Sequence, residues 1–388
     1  MHKPPYLRLS TFYFFFFAAL GIFSPYWPVY LKENLAYSPI EIGQVLSAFM
    51  ISRLVGPILF SSLADKTSHR INVIRLGSFA AVVTLSGIFI NDTFWWVLLI
   101  SFLFGIFWNA VLPQYEAFTL NQLGEQSKRY SLIRVWGSIG FMLVVIAFPR
   151  VMETATYVPH TIIVLLVLMT LSCFLVNDEA VIESQSIKGA TVLWDILKKP
   201  VVIAILLAGL LQSANHGAYY TFFTIYLIEN NYSASFSGVM WAFGVLIEIF
   251  LFLVIHRLLN RFNLSLLFAL SLLLTAIRWL LMAYFVNHVM MLWFIQALHA
   301  ASFGLFHVSM MHLIHHFFPA QFQGRGQALY SGLSYGLGGA IGSSMSGYLW
   351  YHSGSTITFL AMSGLALVAW LIALIFIRNI SENTVKQT

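Results

Sequence analysis

Two long apolar runs occupy residues 264–316, which read LSLLFALSLLLTAIRWLLMAYFVNHVMMLWFIQALHAASFGLFHVSMMHLIHH. The first run contains one charged residue, Arg278, near its middle, and the second contains His299 and His307 deep inside it. An ionisable side chain at membrane depth costs about 2.5 to 3.5 kcal/mol on insertion scales, so it normally faces a partner or a water-filled cavity. The stretch therefore predicts two membrane-spanning helices that carry functional polar groups.

The whole chain has the composition of a polytopic membrane protein. Of its 388 residues, 59% are hydrophobic and only 9% are charged, which excludes an ordinary water-soluble fold. The net charge of +6 does not indicate nucleic-acid binding, because most Lys and Arg residues lie in short intervals between apolar runs. The single cysteine, Cys173, lies inside an apolar run, so no disulfide framework is expected.

The apolar runs are long enough to predict twelve transmembrane helices. A helix needs about 20 residues to cover about 30 Å of hydrocarbon, and runs this uniformly apolar lack the alternation of a transmembrane barrel strand. The predicted spans are 9–31, 39–63, 71–91, 94–120, 131–152, 159–177, 200–228, 234–256, 264–286, 288–316, 327–350 and 356–378. We therefore expect an all-α fold embedded in a lipid bilayer.

The positions of Lys and Arg predict the orientation of these helices. If the N-terminus lies inside the cell, nearly all basic residues fall on or near the cytoplasmic side, and only Lys32 and Arg150 fall outside. Cytoplasmic loops of membrane proteins carry this excess of positive charge. We expect a multi-pass protein of the bacterial inner membrane with both termini in the cytoplasm.

An internal repeat predicts two related halves. Gly21, Tyr30 and Leu31 recur 196 residues later, and Tyr37, Ser38 and Gly43 recur after 195 residues as Tyr232, Ser233 and Gly238. The longest polar interval separates six spans from six, so we predict bundles at 1–177 and 200–388 joined by a cytoplasmic linker at 178–199. Two pseudo-symmetric six-helix bundles in parallel repeat are the arrangement of the major facilitator transporters.

Four charged residues lie within predicted spans and away from obvious loops: Arg53, Glu116, Glu248 and Arg278. At the repeat spacing of 195, Arg53 corresponds to Glu248, so opposite charges occupy equivalent depths in the two halves. Arg53, Glu248 and Arg278 either bind substrate or coupling ions or form structural pairs.

A further pair spans the hairpin between spans 4 and 5. Glu116 and Arg134 lie nine residues on either side of Glu125, so the two face each other at similar depth. This placement predicts an ion pair. Such a pair either binds substrate or only fastens two helices together, and the spacing is compatible with both.

Three histidines and three aromatic residues complete the candidate site. His299 and His307 are eight residues apart, about 80° around an α-helix, and either could carry a proton at physiological pH. A neutral histidine bonded to a neighbouring helix is the alternative. His216 precedes Tyr219 and Tyr220, and these tyrosines with Trp27 could offer ring faces to a solute or act as packing.

Two other patterns concern the cytoplasmic side. Asp65, Lys66 and Arg70 match part of the gating-loop signature of facilitator transporters, between spans 2 and 3. His312, His315 and His316 have the spacing of one histidine box of a di-iron enzyme, but such enzymes need several boxes. We expect no metal, no cofactor and no enzymatic activity.

Several motifs together resemble the 3-phenylpropionic acid transporter group, in the lactose-permease-like branch of the major facilitator superfamily. They are Gly21–Trp27, Tyr30–Lys32, Arg53, Arg134–Ser138, His216, Tyr219–Tyr220, Tyr232–Ser235, Glu248, Arg278–Trp279, His299 and His307. By this resemblance, Glu116, Arg134, Arg278 and His299 match residues of lactose permease. The proton-carrying glutamate of that permease is replaced here by Ser302.

The resemblance implies a proton-coupled symporter that works by alternating access, with an aromatic carboxylate as its substrate. We expect the solute between the two halves, its ring on Trp27, Tyr219 or Tyr220 and its anion near Arg53 or Arg278. Substrate contacts would also come from Glu116, Arg134 and His216, and proton coupling from Glu248, His299 and His307. The alternative is a sugar or nucleoside symporter of the same fold. We expect a monomer whose partners are this solute, protons and the bilayer.

Overall fold

The computed structural model describes residues 6–67, 69–151, 154–177 and 190–377, and within these ranges every regular element is helical. Eleven helical stretches in this part of the chain are long and apolar enough to cross a membrane. They are Tyr6–Glu33, Pro39–Thr67, Arg70–Phe89, Phe94–Ser127, Tyr130–Val151, Ala155–Leu175, Pro200–Glu229, Ala234–Arg261, Leu264–Phe285, Val289–Phe317 and Gln323–Phe376. The predicted all-α membrane fold is confirmed.

The last of these stretches contains two spans. Gln323–Phe376 is 54 residues long, which is about 80 Å of helix at 1.5 Å per residue and far exceeds the thickness of a bilayer. Gly354 interrupts it with φ 78° and ψ 175°, a conformation that glycine adopts without steric cost. The break lies between the predicted spans 327–350 and 356–378, so the described part of the chain contains twelve spans, numbered 1 to 12 below.

Side chains that cap helix ends show why some spans begin where they do. The Ser38 hydroxyl accepts a hydrogen bond from the backbone N–H of Glu41, and the Glu41 carboxylate accepts one from the N–H of Ser38, at the start of span 2. At the start of span 8, the Ser233 hydroxyl accepts from the N–H of Phe236. Ser38 and Ser233 are equivalent positions of the repeat, and each satisfies an N–H that a helix start leaves unpaired.

The described residues divide into two compact units. The first contains spans 1 to 6 together with Thr221–Ile228 and Tyr232–Ala242, and the second contains residues 190–220, Glu229–Asn231 and 243–377. Part of the predicted linker, Ala190–Leu197, is helical, and residues 178–189 lie outside the described residues. The predicted bundles at 1–177 and 200–388 stay a prediction.

Small residues allow close helix contacts within each unit. In the first unit, Gly56 of span 2 lies directly against the Ile106 carbonyl of span 4. In the second unit, Gly217 of span 7 lies directly against the backbone of Gly342 in span 11. Transmembrane helices associate through such packing, because lipid provides no hydrophobic drive for it.

Four spans depart from regular α-helix near their middles. Span 2 contains a 3₁₀ turn at Ser52–Leu54, and span 7 is interrupted at His216, between Pro200–Asn215 and Gly217–Glu229. Spans 10 and 11 contain π-helical segments at Ala300–Leu305 and Gly332–Gly338. Such irregular turns are frequent at functional sites, and those of spans 2, 7 and 10 carry or adjoin the candidate residues Arg53, His216 and His299.

Candidate functional site

Arg278 of span 9 is completely buried and is bonded to span 10 along its whole guanidinium group. Its Nε donates to the Ile295 carbonyl at 3.1 Å, and its Nη2 donates to Gln296 Oε1 at 2.9 Å. Its Nη1 lies 3.1 Å from His299 Nδ1 and 2.9 Å from the Ser302 hydroxyl. All four of these acceptors belong to span 10, so Arg278 holds that span in one rotational position.

The contact with Arg278 determines the tautomer of His299. A guanidinium has only N–H donors and no acceptor, so Nδ1 of His299 must accept and the imidazole proton lies on Nε2. That nitrogen lies 3.8 Å from Oε2 of Glu248 in span 8. The three residues therefore form a continuous chain of contacts, and the side chains of His299 and Glu248 are only 8% and 15% exposed.

Two aromatic rings flank this chain. The guanidinium carbon of Arg278 lies 4.5 Å from the ring centre of Tyr219 and 4.4 Å from that of Trp279, distances at which a cation is attracted by an aromatic face. The Tyr219 ring also lies 5.7 Å from the ring of His299. Tyr219, predicted to receive a substrate ring, thus contacts Arg278 and His299.

A glutamine that the sequence reasoning missed supports the irregular turn of span 10. Gln212 of span 7 donates through Nε2 to the Ser302 carbonyl at 2.6 Å and to the Thr275 hydroxyl at 2.9 Å. Its Oε1 accepts from Asn215 at 3.0 Å, and Asn215 Oδ1 accepts from the Trp279 indole at 2.8 Å. The sequence did contain a signal for these residues, because Gln212 and Asn215 are amides within an otherwise apolar run, and polar side chains inside a membrane are costly.

His216 lies at the interruption of span 7 and is buried. Its Nδ1 is 2.8 Å from the Gln212 carbonyl, and its ring lies 5.0 Å from Trp279 and 6.1 Å from Tyr220. Tyr220 is half-buried. The structure therefore places His216, Tyr219 and Tyr220 on the same span as Gln212, and His216 beside Trp279.

His307 belongs to a separate cluster with span 11. Its Nδ1 lies 3.4 Å from the Tyr330 hydroxyl and 3.2 Å from that of Tyr335, and the two hydroxyls are 3.0 Å apart. The rings of His299, Phe303 and His307 stack in turn at 5.5 and 6.3 Å with nearly parallel planes. Residues eight apart, such as His299 and His307, lie about 80° apart around a regular α-helix. The π-helical segment between them rotates less per residue and brings their rings closer to one side of span 10.

In the first unit, Arg53 lies on the 3₁₀ turn of span 2. Its Nε donates to Asn109 Oδ1 at 3.1 Å, and Asn109 Nδ2 donates to the Ser52 hydroxyl at 3.0 Å. The Arg53 residue is half-buried, unlike Arg278. Asn109, on span 4, is a second polar residue that the sequence reasoning did not select.

Glu116 and Arg134 meet as the hairpin geometry predicts. Arg134 Nε lies 3.9 Å from Glu116 Oε1, which also accepts from the Tyr130 hydroxyl at 3.0 Å. The Arg134 guanidinium lies 3.8 Å from the ring centre of Phe17. The side chains of Arg134 and Glu116 are 31% and 37% exposed, and the pair lies near the hairpin ends of spans 4 and 5 rather than at mid-span.

The remaining predicted residues lie apart from these contacts. Trp27 of span 1 is buried and stacks on Phe23 and Tyr30 at 5.7 and 5.3 Å. Asp65 and Lys66 are exposed at the end of span 2, and Arg70 begins span 3. Within the second unit, the structure thus brings together Arg278, His299, Glu248, Tyr219 and His216.

The sequence profile of the MFS_1-like family matches residues 6–361. The chain belongs to the MFS_1-like family. Members of this family and its structural neighbours are major facilitator transporters, so this MFS_1-like protein is a multi-pass membrane transporter and not an enzyme.

Individual relatives agree with the family. This MFS_1-like protein is 27% identical over 363 residues to the probable 3-phenylpropionic acid transporter of Escherichia coli (strain K12), covering 89% of this chain and 91% of the relative. It is 24% identical over 357 residues to the maltose permease of Geobacillus stearothermophilus, covering 87% and 86%. The crystal structure of the nucleoside transporter NupG superposes with a TM-score of 0.84 at 18% identity, covering 96% of this chain and 99% of that one. That likeness establishes the fold of this MFS_1-like protein.

Proposed function

We propose that this transporter is a proton-coupled symporter that accumulates an aromatic carboxylate such as 3-phenylpropionate by alternating access. The observation that carries the proposal is the chain of contacts from Arg278 through His299 to Glu248. A buried charge network of this kind near the middle of three spans is costly to keep in a membrane, and such networks mark ion pathways.

The network couples a proton to the position of span 10. If His299 takes up a second proton, Nδ1 becomes a donor that faces the donor N–H of Arg278, and their hydrogen bond cannot persist. If Glu248 takes up a proton, the carboxylate loses the charge that attracts His299. The titratable and charged groups around His299 are Glu248 on span 8, Arg278 on span 9, and Tyr219 and His216 on span 7.

Arg53 is the better candidate for the substrate carboxylate. Arg278 is enclosed and its N–H groups are bonded to span 10, so a solute would have to displace those bonds. Arg53 is half-buried at an irregular turn. We therefore assign Arg53 to the anion, and Arg278 to positioning His299. The class of solute is supported by the relative named as a probable 3-phenylpropionic acid transporter.

The test is uptake of labelled 3-phenylpropionate by the purified protein in proteoliposomes with an alkaline interior. Aromatic acids also cross bilayers in their neutral form, so protein-free liposomes are the essential control. We expect protein-dependent accumulation that a protonophore abolishes, and alkalinisation of a weakly buffered medium when the solute is added. Uptake that is the same with and without the pH gradient, after subtraction of the control, would contradict proton coupling.

A sugar or nucleoside symporter is the second candidate. It is supported by the maltose permease relative and by the partly exposed Glu116–Arg134 pair, whose polar atoms suit hydroxyl groups. Maltose, lactose and uridine belong in the same uptake screen. Competition by these neutral solutes, together with loss of their uptake in Glu116→Gln, would favour this candidate over the aromatic acid.

The membrane arrangement is part of the proposal. We infer a monomer in the bacterial inner membrane with both termini in the cytoplasm, six-helix bundles at 1–177 and 200–388, and a cytoplasmic gating loop that includes Asp65, Lys66 and Arg70. The charge distribution supports it. Single cysteines placed in the inter-span loops of a Cys173→Ser background, and labelled from one side of the membrane, would test the orientation.

A further inference from the structure

Span 7 is broken near its middle, and the residue at the break is His216. The following residue, Gly217, lies so close to the backbone of Gly342 that a Cβ atom would not fit. Interrupted helices near the bilayer midplane are where transporters build their substrate sites, because irregular backbone at that depth is tolerated when it lines a cavity. His216 therefore lies where a substrate site is expected in a transporter.

The two ring nitrogens of His216 have different roles. Nδ1 lies 2.8 Å from the Gln212 carbonyl, which can only accept, so Nδ1 carries the proton. Nε2 is consequently an acceptor, and it is buried with no hydrogen-bond partner among the residues that the structure describes. A buried polar atom left unsatisfied costs about 1 to 3 kcal/mol.

Three donors near His216 bond to other groups. The Trp279 indole, whose ring contacts His216, donates to Asn215 at 2.8 Å. The Asn215 amide donates to Gln212 Oε1 and to the Leu211 carbonyl. The Gln212 amide donates to Thr275 and Ser302. Nε2 therefore receives no hydrogen bond from these three groups and can accept one from a bound molecule.

We infer that Nε2 of His216 accepts a hydrogen bond from a hydroxyl group of the transported solute. This inference rests on the proposed function, in which the solute is an aromatic acid. An ionised carboxylate has no donor, so the acid group cannot serve, whereas a phenolic hydroxyl can. The rings of Tyr220 and Trp279 beside His216 suit an aryl group. The preferred substrates are therefore hydroxylated arylpropionates, whose phenolic hydroxyl donates to Nε2.

The experiment compares matched solutes in equilibrium binding to the purified full-length protein in lipid nanodiscs. The pairs are 3-(4-hydroxyphenyl)propionate with 3-phenylpropionate, and uridine with 2′,3′-dideoxyuridine. We expect the parent to bind the hydroxylated acid about tenfold more tightly than the plain acid, as one satisfied buried hydrogen bond provides. His216→Phe should abolish that ratio by weakening the hydroxylated acid more than the plain acid, and His216→Gln, which keeps an acceptor, should retain part of it.

His288→Phe is the matched control, because His288 is exposed between spans 9 and 10, and it should bind like the parent. Thermal unfolding midpoints show whether His216→Phe is folded.

Equal binding of both acids by the parent, or equal weakening of both by His216→Phe, would overturn the inference and leave the proposed function intact. If only uridine binds, and His216→Phe removes its advantage over the dideoxy analogue, the hydroxyl contact holds and the aromatic acid is wrong. Binding of no solute would overturn both.

Discussion

The guanidinium of Arg278 lies 3.1 Å from Nδ1 of His299, and this contact determines which nitrogen of the imidazole carries its proton. The remaining N–H, on Nε2, points toward Glu248, 3.8 Å away. Arg278 itself is held by three further acceptors of span 10. Arg278, a buried cation of span 9, thus contacts span 10 directly and is connected to span 8 through His299.

Replacing Arg278 with alanine should destabilise the protein and abolish uptake. Each buried acceptor left without its donor costs about 1 to 3 kcal/mol, and Gln296, His299 and Ser302 would all lose a donor. Thermal unfolding and uptake measure the two effects. Arg278→Lys should recover only part of the stability, because an ammonium group is a point donor and cannot reach all the acceptors that the guanidinium reaches. A fully stable Arg278→Ala variant would refute the positioning role.

Replacing Glu248 with glutamine should separate exchange from accumulation. The amide keeps the size of the side chain but cannot be protonated, so solute counterflow should continue while uptake driven by a pH gradient falls at least about tenfold, the factor that corresponds to 1.4 kcal/mol of lost coupling. Counterflow and gradient-driven uptake in the same liposomes provide the comparison. Glu33→Gln, at an exposed helix end, is the control. Accumulation at the parental level in Glu248→Gln would exclude Glu248 from coupling.

Replacing Gln212 with leucine should lower stability by about 1 to 3 kcal/mol, because the Ser302 carbonyl loses its side-chain donor inside the membrane. Span 10 should then favour a regular α-helix over its π-helical segment, which moves His307 relative to His299. Thermal unfolding reports the first effect. Crosslinking of cysteines placed at positions 303 and 335 would report the second. Gln321→Leu, at an exposed position, should change neither measurement.

Replacing Gly56 with alanine should cost about 1 to 3 kcal/mol, the usual cost of adding a methyl group to a packed contact. The added Cβ would meet the Ile106 carbonyl, which is backbone and cannot rotate away, so spans 2 and 4 must separate beside Arg53. Gly364→Ala, where a Cβ meets nothing within 4 Å, should be tolerated or slightly stabilising. Equal unfolding midpoints for the two variants would show that the close contact of spans 2 and 4 is unimportant.

Much of the fold is predictable from local sequence. A helix in a bilayer satisfies its backbone internally, so the length of an apolar run alone predicts a span, and the observed helices lie over the predicted runs. The Glu116–Arg134 pair was also predictable, because the two residues lie at equal distances from one hairpin.

The amino-acid sequence by itself therefore determined the positions of the apolar spans, including the separation of 327–350 from 356–378, and the identity of the costly polar residues. The tertiary structure alone decided that Arg278 is bonded to span 10, that Gln212 supports the Ser302 carbonyl, and that His216 presents an unpaired nitrogen. The physical reason is that these contacts depend on the rotation of each helix about its axis and on the π-helical turn of span 10. Packing between helices sets both, and run length does not encode them.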